Sequence, residues 1–419
     1  MTDATAPLDA LSADAGPVAR GSVARVAIAT AVSAVCGYAV LYLAARRLDP
    51  AGFSVFGVFW GAFGLVTGAA NGLLQEATRE VRSTRHRGVP EGPRTAPMRV
   101  AAGVGAVAAA AIAVSAPLWS GQVFASSRTL SVVLLSAGLA GFCLHATLLG
   151  MLAGAGRWTQ YGSLMVTDAV IRVLVAVATF LLGWGLVGFL WATVAGAIAW
   201  LLLLGVSAAA RAAAGIHTAG SVSHFLRGAS HSIAAAGASA VLVMGFPVLL
   251  KATSGELGAA GGVVILAVTL TRAPLLVPLT AMQGNLIAYF VDHRSRRLRA
   301  LLTPLAVIAG VGGVGVVSAG LLGPWLIRVA FGPEYEVGGT LLAWLTAGAV
   351  SIAVLTITGA ATVAAALHRA YAIGWVGATV AAAALLTLPL ELSEKTVIAL
   401  LCGPLVGIAV HVVALVKAG

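Results

Sequence analysis

Two opposite charges lie four residues apart inside an apolar stretch, residues 163–180, which reads SLMVTDAVIRVLVAVATF. Asp168 and Arg172 would share one face of a helix, because residues four apart are neighbours there. On one interpretation they neutralise each other and tie neighbouring helices together. On the other, Asp168 holds Arg172 until an anionic ligand, or a proton on Asp168, changes the partnership. Ionisable groups within membrane segments are functional candidates by default, so both interpretations stay open.

The composition indicates that these residues lie in a membrane protein. Of the 419 residues 60% are hydrophobic and only 9% are charged, with a mean hydropathy of +1.00, whereas globular domains contain roughly 25% charged residues. Twelve apolar runs have the length of about 20 residues that crosses a bilayer as a helix. They cover residues 23–45, 53–74, 98–116, 129–152, 160–182, 185–207, 227–250, 259–282, 301–323, 337–358, 371–390 and 396–416. The runs lack the alternation of a barrel, so we predict an all-α, polytopic bundle of about 12 transmembrane helices.

The basic residues predict the orientation of this bundle. Most of the 25 lysine and arginine residues fall in segments that share a side with the amino terminus, which predicts a cell-membrane protein with both termini cytoplasmic. The net charge of +11 then reflects topology and contact with anionic membrane lipids, and we expect no nucleic-acid partner. Residues 1–22 have no apolar period and are predicted to be a disordered cytoplasmic tail. Abundant Ala and Gly, with Arg used over Lys, favour a bacterial source.

An internal repeat predicts two halves. Leu48-Asp-Pro-Ala-Gly52 has a counterpart in Leu257-Gly-Ala-Ala-Gly261, and the spacing of Pro117 to Phe124 and of Arg157 to Gly162 recurs from Pro324 to Phe331 and from Arg369 to Gly374. Each offset is about half the chain. Six spans per half give both halves one orientation, so a two-fold axis along the membrane normal should relate them. The predicted domains are residues 23–207, a cytoplasmic linker at 208–226, and residues 227–419.

Several kinds of chemistry are excluded. None of the three lysines follows a glycine, so there is no phosphate-binding loop, and the outer loops are short and contain no catalytic pair of acids. Cys36, Cys143 and Cys402 fall inside predicted spans, where cysteine usually fills space as a small apolar residue. We therefore expect no enzyme activity, no cofactor, no disulfide and no metal site.

Short motifs resemble those of a transporter superfamily. Residues 44–53, AARRLDPAGF, resemble the signature after the first span in the multidrug/oligosaccharidyl-lipid/polysaccharide (MOP) exporter superfamily, with Asp49 in place of the usual glycine. Residues 331–335, FGPEY, resemble the motif before the tenth span in its polysaccharide-flippase branch, and residues 152–157 and 271–274 are similar to further landmarks of that branch. The resemblance extends from about residue 20 to residue 416.

The resemblance implies a lipid-linked sugar, commonly a polyprenyl-diphosphate oligosaccharide, that is carried to the outer leaflet. An anionic diphosphate head requires cations near the midplane of a cleft between the halves. Arg172 and Arg272 lie near mid-bilayer by residue count, one in each half. Arg272 has no acid nearby in its own span and is followed by Pro274 and Pro278, which can expose backbone. Arg272 is thus the first phosphate contact that the sequence predicts, with Arg172 and Asp168 next.

Other polar residues have a functional and a plainer interpretation. Arg25 is either a head-group contact at the cytoplasmic mouth or an anchor of the positive-inside kind. Asn71, Gln75 and Glu76 either reach sugar hydroxyls or form a solvated helix end. His145, His231 and His411 fall inside spans, where a lone histidine is more often a hydrogen bond between helices than a proton relay.

The sequence thus predicts a flippase for a lipid-linked oligosaccharide, a cell-envelope polysaccharide precursor, that works by alternating access. Its expected partners are the lipid-linked glycan and membrane lipids, with glycosyltransferases of the same pathway as further candidates. Two alternatives remain. A drug/cation antiporter of the same superfamily would want buried acids in its cleft, and Asp168 has an arginine beside it. A scaffold for polysaccharide assembly that transports nothing needs no particular residues.

Overall fold

The computed structural model describes residues 20–87, 92–124, 126–293 and 297–418, almost all of them in helices. The first half contains seven helices, because a 3₁₀ turn at Gly196–Ile198 divides its last span. They are α1 Arg20–Arg47, α2 Pro50–Arg87, α3 Pro97–Val123, α4 Arg128–Gly154, α5 Trp158–Leu182, α6 Gly185–Ala195 and α7 Ala199–Val206. A short helix, α8 Ala208–Ala214, and a two-stranded antiparallel ribbon, β1 Arg94–Thr95 with β2 Thr218–Ala219, lie near the connection to the second half.

The second half also has one broken span. Its helices are α9 Val222–Val243, α10 Phe246–Ser254, α11 Gly258–Ala281, α12 Gln283–Asp292, α13 Arg297–Phe331, α14 Gly339–Ala364, α15 His368–Leu385 and α16 Leu392–Lys417. A 3₁₀ turn at Pro333–Tyr335 precedes α14. We call the side on which α1 begins and α16 ends the terminal face, and the other side the far face.

Helices occupy all twelve predicted runs, and the all-α class is confirmed. In the described part of the chain, ten helices are long and apolar enough to cross a membrane, and the bent pair α9 and α10 counts as an eleventh. The eleventh predicted run corresponds to α15, whose 18 residues begin with His368 and Arg369. The predicted tail lies outside the described residues up to position 19, and α1 begins at Arg20. The predicted domain boundaries remain a prediction.

Packing follows the repeat within each half. In the first half α2 and α3 pack on α4, and α1 packs on α5; in the second half α11 and α13 pack on α14, and α9 packs on α15. The repeated residues occupy matching places: Pro117 lies inside α3 and Pro324 inside α13, while Arg157 and Arg369 lie where α5 and α15 begin.

A stripe of glycines on α2 brings the two halves into contact. A Cβ at Gly68 would lie 2.6 Å from Ala240 Cβ on α9, and one at Gly72 would overlap the backbone of Ile233. Between helices in lipid there is no hydrophobic driving force, so close packing of small residues supplies the attraction. We call this contact of α2 with α9 the closed seam.

The matching seam on the other side of the axis is thin. The repeat relates α1 to α9 and α2 to α11, so the counterpart of the closed seam is the contact of α1 with α11. These two helices meet over only a short stretch. Tyr38 on α1 lies within electrostatic range of Arg272 on α11 across it. We call this contact the thin seam, and it makes the two sides of the molecule unequal.

A tyrosine joins the halves at the far face. Tyr335 is buried, donates its hydroxyl to Leu48 O at 3.2 Å, and packs edge-on against Phe53 with ring centroids 5.9 Å apart. Burial, with the Asp49 and Glu334 carboxylates nearby, raises the pKa of Tyr335. The phenol therefore stays protonated and keeps its donor at physiological pH.

The closed seam predicts a sharp difference between two glycines. Gly72→Ala should lower the melting temperature of the purified protein, because overpacking against a helix backbone costs about 1–3 kcal/mol. Gly37→Ala on α1 is the control, since nothing lies within 4 Å of the position its Cβ would take. Thermal melting followed by size-exclusion chromatography measures both. Equal melting temperatures for the two variants would contradict the close approach of α2 and α9.

Candidate functional site

Arg272 lies on α11 against the break between α9 and α10. Its side chain is 7% exposed, Nη1 donates to Val243 O at 3.2 Å, and the guanidinium carbon lies 5.0 Å from the centre of the Phe246 ring. Within the described residues Nε and Nη2 have no hydrogen-bond partner. A buried cation thus keeps two donors free near the middle of a membrane helix.

The break explains why a cation is stabilised there. Helix α9 ends at Val243, α10 begins at Phe246, and the two axes differ by 63°. The last carbonyls of a helix have no partner within it and carry the negative end of its dipole. Arg272 supplies a positive donor to two of these carbonyls, on Leu242 and Val243. The prolines beside Arg272 do not interrupt α11, so the exposed backbone belongs to α9 instead.

Asp168 and Arg172 pair inside the first half. Arg172 Nη2 donates to Asp168 Oδ1 at 3.0 Å and Nε contacts both carboxylate oxygens; their side chains are 14% and 19% exposed, respectively. Arg172 Nη1 also donates to Thr193 O, and its guanidinium lies 5.3 Å from the centre of the Phe63 ring. These contacts connect α5 to α6 and α2. The pair is therefore bonded to its own half in this structure.

The 3₁₀ turn after α6 makes room for this pair. A side chain at Gly196 would overlap Asp168 and Arg172. Short 3₁₀ segments inside long helices often mark strain or a functional position. Here the tighter 3₁₀ backbone and the absence of a side chain at Gly196 leave space for the ion pair of Asp168 and Arg172.

Glu76 and Glu80 form a charged cluster at the terminal end of the closed seam. Both are buried on α2, and Arg79 bonds to Glu76 Oε1 at 2.6 Å and to Glu80 Oε1 at 3.0 Å. His224 of α9 lies 3.5 Å from Glu80, and a side chain at Gly228 would overlap Glu76. The cluster thus spans the two halves.

The helix does not end where the sequence predicted. The second apolar run stops at residue 74, but α2 continues to Arg87, so Asn71, Gln75 and Glu76 lie within a continuous helix. The α2 helix continues because Glu76 is buried against α9 and neutralised by Arg79. Asn71 is half-buried and lies two heptads from Gly57, which contacts α11, so it faces the space between the halves.

Arg25 lies on the terminal part of α1, away from the other candidates. It is exposed, and its Nη1 donates to Thr159 Oγ1 of α5 at 3.0 Å. It lines an open groove of about 400 Å³ between α1 and α5. The contacts of Arg272 thus lie on helices of the second half, whereas Arg25 and the Asp168–Arg172 pair bond within the first half.

Sequence reasoning missed Tyr38, Glu80 and His224. The spacing of Glu76, Arg79 and Glu80 at three and four residues is a signal for an ion-pair cluster on one helix face. His224 and Tyr38 come from other helices, and no local pattern indicates their partners.

The Asp168–Arg172 geometry predicts how single and double replacements behave. Asp168→Asn or Arg172→Gln alone leaves an uncompensated charge, which costs about 3–5 kcal/mol when a buried pair is broken. The double variant should recover much of that loss in the yield and melting temperature of purified protein. Arg25→Gln, which changes an exposed arginine, is the control. If the loss of melting temperature in the double variant equals the sum of the losses in the two single variants, Asp168 and Arg172 do not stabilise the protein by neutralising each other.

Comparison with known proteins gives close relatives of the same length. No protein-family model matches the chain. The chain is 69% identical over 416 residues to the uncharacterized protein Rv3630 of Mycobacterium tuberculosis, covering 99% of this chain and 96% of the relative. It is 65% identical over 417 residues to the uncharacterized protein Rv1510 of the same organism, covering 100% and 96%.

Solved structures of transporters share the fold. A multidrug resistance MATE family transporter of the MOP superfamily matches in its outward-facing conformation with a TM-score of 0.64 and 15% identity, covering 95% of this chain and 96% of that one. A structure described as the inward-facing conformation of a multidrug resistance MATE family transporter of the MOP superfamily matches at 0.64 and 15% over 94% and 98%. A MOP superfamily transporter from Pyrococcus furiosus, described as having a binding pocket of reverse polarity, matches at 0.60 and 14% over 95% and 96%. The chain therefore belongs to the same protein family as Rv3630 and Rv1510 of Mycobacterium tuberculosis, with the multi-pass membrane fold seen in MOP superfamily transporters.

Proposed function

We propose that this protein is a membrane transporter that moves a polyprenyl-diphosphate-linked oligosaccharide, a cell-envelope polysaccharide precursor, from the inner to the outer leaflet by alternating access. The observation that carries the proposal is the buried guanidinium of Arg272, with Nε and Nη2 free, beside the thin seam. Guanidinium binds phosphate oxygens through pairs of parallel hydrogen bonds. A diphosphate head would accept hydrogen bonds from Nε and Nη2 of Arg272, the two donors that have no partner among the described residues.

The two unequal seams suit a cargo with a long lipid tail. The sugar and diphosphate would occupy the space between the halves, which Asn71 faces. The tail would remain in the bilayer and pass beside the thin seam of α1 and α11, where few contacts need to separate. With cytoplasmic termini, export of an anion is favoured by about 2.3 kcal/mol per charge for each 100 mV of membrane potential.

Alternating access is supported by contacts that join the halves at both faces. Glu80 with His224 and the β1–β2 ribbon join them at the terminal face, and Tyr335 with Leu48 joins them at the far face. Opening to one side requires that the contacts on that side separate while those on the other hold. The fold is shared with solved transporter structures described as outward-facing and as inward-facing, which supports a rocking motion of the two halves.

The drug/cation antiporter is less consistent with the charges. A cation site requires acids that are free to bind it, but Asp168 is paired with Arg172, and Glu76 is paired with Arg79. The buried candidate that lacks a charged partner among the described residues is the cation Arg272. A scaffold for polysaccharide assembly that transports nothing is the other alternative, and a functional test must distinguish it from a transporter.

The test is to deplete the protein in its host and analyse the polyprenyl-linked glycans by mass spectrometry. Accumulation of one lipid-linked oligosaccharide, inaccessible to an external glycosidase, is expected. Wild type and Arg328→Gln, which changes an exposed arginine of α13, should relieve it. Arg272→Gln should slow relief at least about tenfold, since a hydrogen bond to a charged group contributes about 1.5–3 kcal/mol, and Arg272→Glu should abolish it.

Two outcomes would contradict the proposal. An unchanged lipid pool after depletion would remove the flippase assignment. Full relief by Arg272→Glu would indicate that the protein acts without an anion site in this position, as a scaffold would.

A further inference from the structure

His411 on α16 is fully buried, yet both of its ring nitrogens face oxygen atoms. Its exposure is 0%, Nδ1 lies 3.1 Å from Thr358 Oγ1 of α14, and Nε2 lies 3.3 Å from the backbone oxygen of Tyr371 on α15. A neutral imidazole carries one N–H and an imidazolium carries two. Whether the Thr358 hydroxyl donates or accepts therefore determines which protonation states of His411 are fully hydrogen-bonded.

Rotation of one hydroxyl satisfies both states. Thr358 Oγ1 is also within bonding distance of Val354 O at 3.1 Å and Leu355 O at 3.0 Å. When the hydroxyl donates to these carbonyls, its oxygen accepts from Nδ1–H, and Tyr371 O accepts from Nε2–H, so an imidazolium is satisfied. When the hydroxyl turns to donate to Nδ1, the neutral ring keeps its single donor for Tyr371 O. Buried polar groups must be hydrogen-bonded, and here they are in either state.

The surroundings are shaped for this ring. The Tyr371 ring lies parallel to the imidazole, at 5° with centroids 6.2 Å apart. A side chain at Gly374 would overlap His411. By contrast, His145 in the first half stacks on Phe142 and has no partner at Nδ1 among the described residues.

In the part of the chain that the structure describes, His411 bonds to Thr358 and Tyr371 and forms no ion pair. Tyr371 is the titratable group that touches it, and α14 contains no ionisable residue. The ionisable residues on the other helices that pack on α16, and on α16 itself, are His368 and Arg369 on α15, Arg272 on α11, Arg297, Arg299 and Arg328 on α13, and Glu394, Lys395, Cys402 and Lys417 on α16. Protonation of His411 would therefore change the net charge of the core of the second half.

The site connects to the closed seam. The Tyr371 hydroxyl is within hydrogen-bonding reach of Ser239 on α9. The next residue, Ala240, packs on Gly68 of α2. Tyr371, whose backbone oxygen accepts from His411, thus also contacts α9, the helix of the second half that forms the closed seam.

We propose that His411 is a proton-binding site, and that the bound proton is the coupling ion of transport. The role in transport rests on the proposed function, whereas proton binding does not. Asp168, whose protonation the sequence suggested, is paired with Arg172. The hydrogen-bond partners of His411, by contrast, accommodate both the protonated and the neutral ring.

The test is a ¹⁵N NMR titration of the histidine rings in purified protein held in lipid nanodiscs without substrate. Between about pH 5 and 9, one ring resonance that titrates in wild type should be absent from His411→Gln and present in His145→Gln. Thr358→Val should move the midpoint of that resonance to lower pH, because both forms of the ring lose a hydrogen bond and the bond to the charged imidazolium is the stronger one.

Each outcome decides the proposal. If His411→Gln does not fold, the selective shift of one resonance in Thr358→Val still identifies the site. If no titrating resonance is lost in His411→Gln or moved in Thr358→Val, His411 is only a hydrogen bond between helices. Because no glycolipid is present, a titrating His411 would survive failure of the depletion experiment and would indicate a proton-coupled transporter with another cargo.

Discussion

The contact of the α2 glycine stripe with α9 is the constraint on which the rest of the structure depends. In lipid the two halves have no hydrophobic reason to associate, so their contact relies on backbones that approach closely. Gly68 and Gly72 allow that approach to α9, and Gly57 and Gly262 allow α2 to approach α11 as well. Among the described residues the opposite seam, α1 with α11, has no such glycine contact, so the two flanks of the molecule are unequal.

The same asymmetry distributes the charges. Within the first half Asp168 and Arg172 neutralise each other, and at the terminal end of the closed seam Arg79 neutralises Glu76 and Glu80. Arg272 has carbonyls from the broken end of α9 but no carboxylate partner among the described residues. A positive site thus remains beside the flank that can open, which is where an anionic head with a lipid tail would enter.

Hydrophobic length predicted the helical membrane fold, because bilayer thickness fixes helix length. The breaks were not predictable from this signal. Met244 and Gly245 interrupt α9 and α10 within a run of uniform hydropathy, and Pro274 and Pro278, which suggested an interruption, lie in a continuous helix. Partners from distant helices, such as Thr358 for His411, depend on packing that no local pattern contains.

Alternating access requires the two halves to rock against each other along the closed seam as one face opens and the other closes. A Cβ at Gly237 would lie 3.4 Å from Ala69 Cβ, close to the separation of about 3.5–4.5 Å in disulfides, so Ala69→Cys with Gly237→Cys should cross-link α2 to α9. The measurement uses this variant, with Cys36, Cys143 and Cys402 replaced by Ala, in vesicles that contain a polyprenyl-diphosphate oligosaccharide. We predict that the glycan in the inner leaflet stays protected from external glycosidase while the cross-link is oxidised and becomes accessible after reduction. If the glycan is equally accessible to glycosidase with the cross-link oxidised and reduced, transport does not require movement of α2 relative to α9.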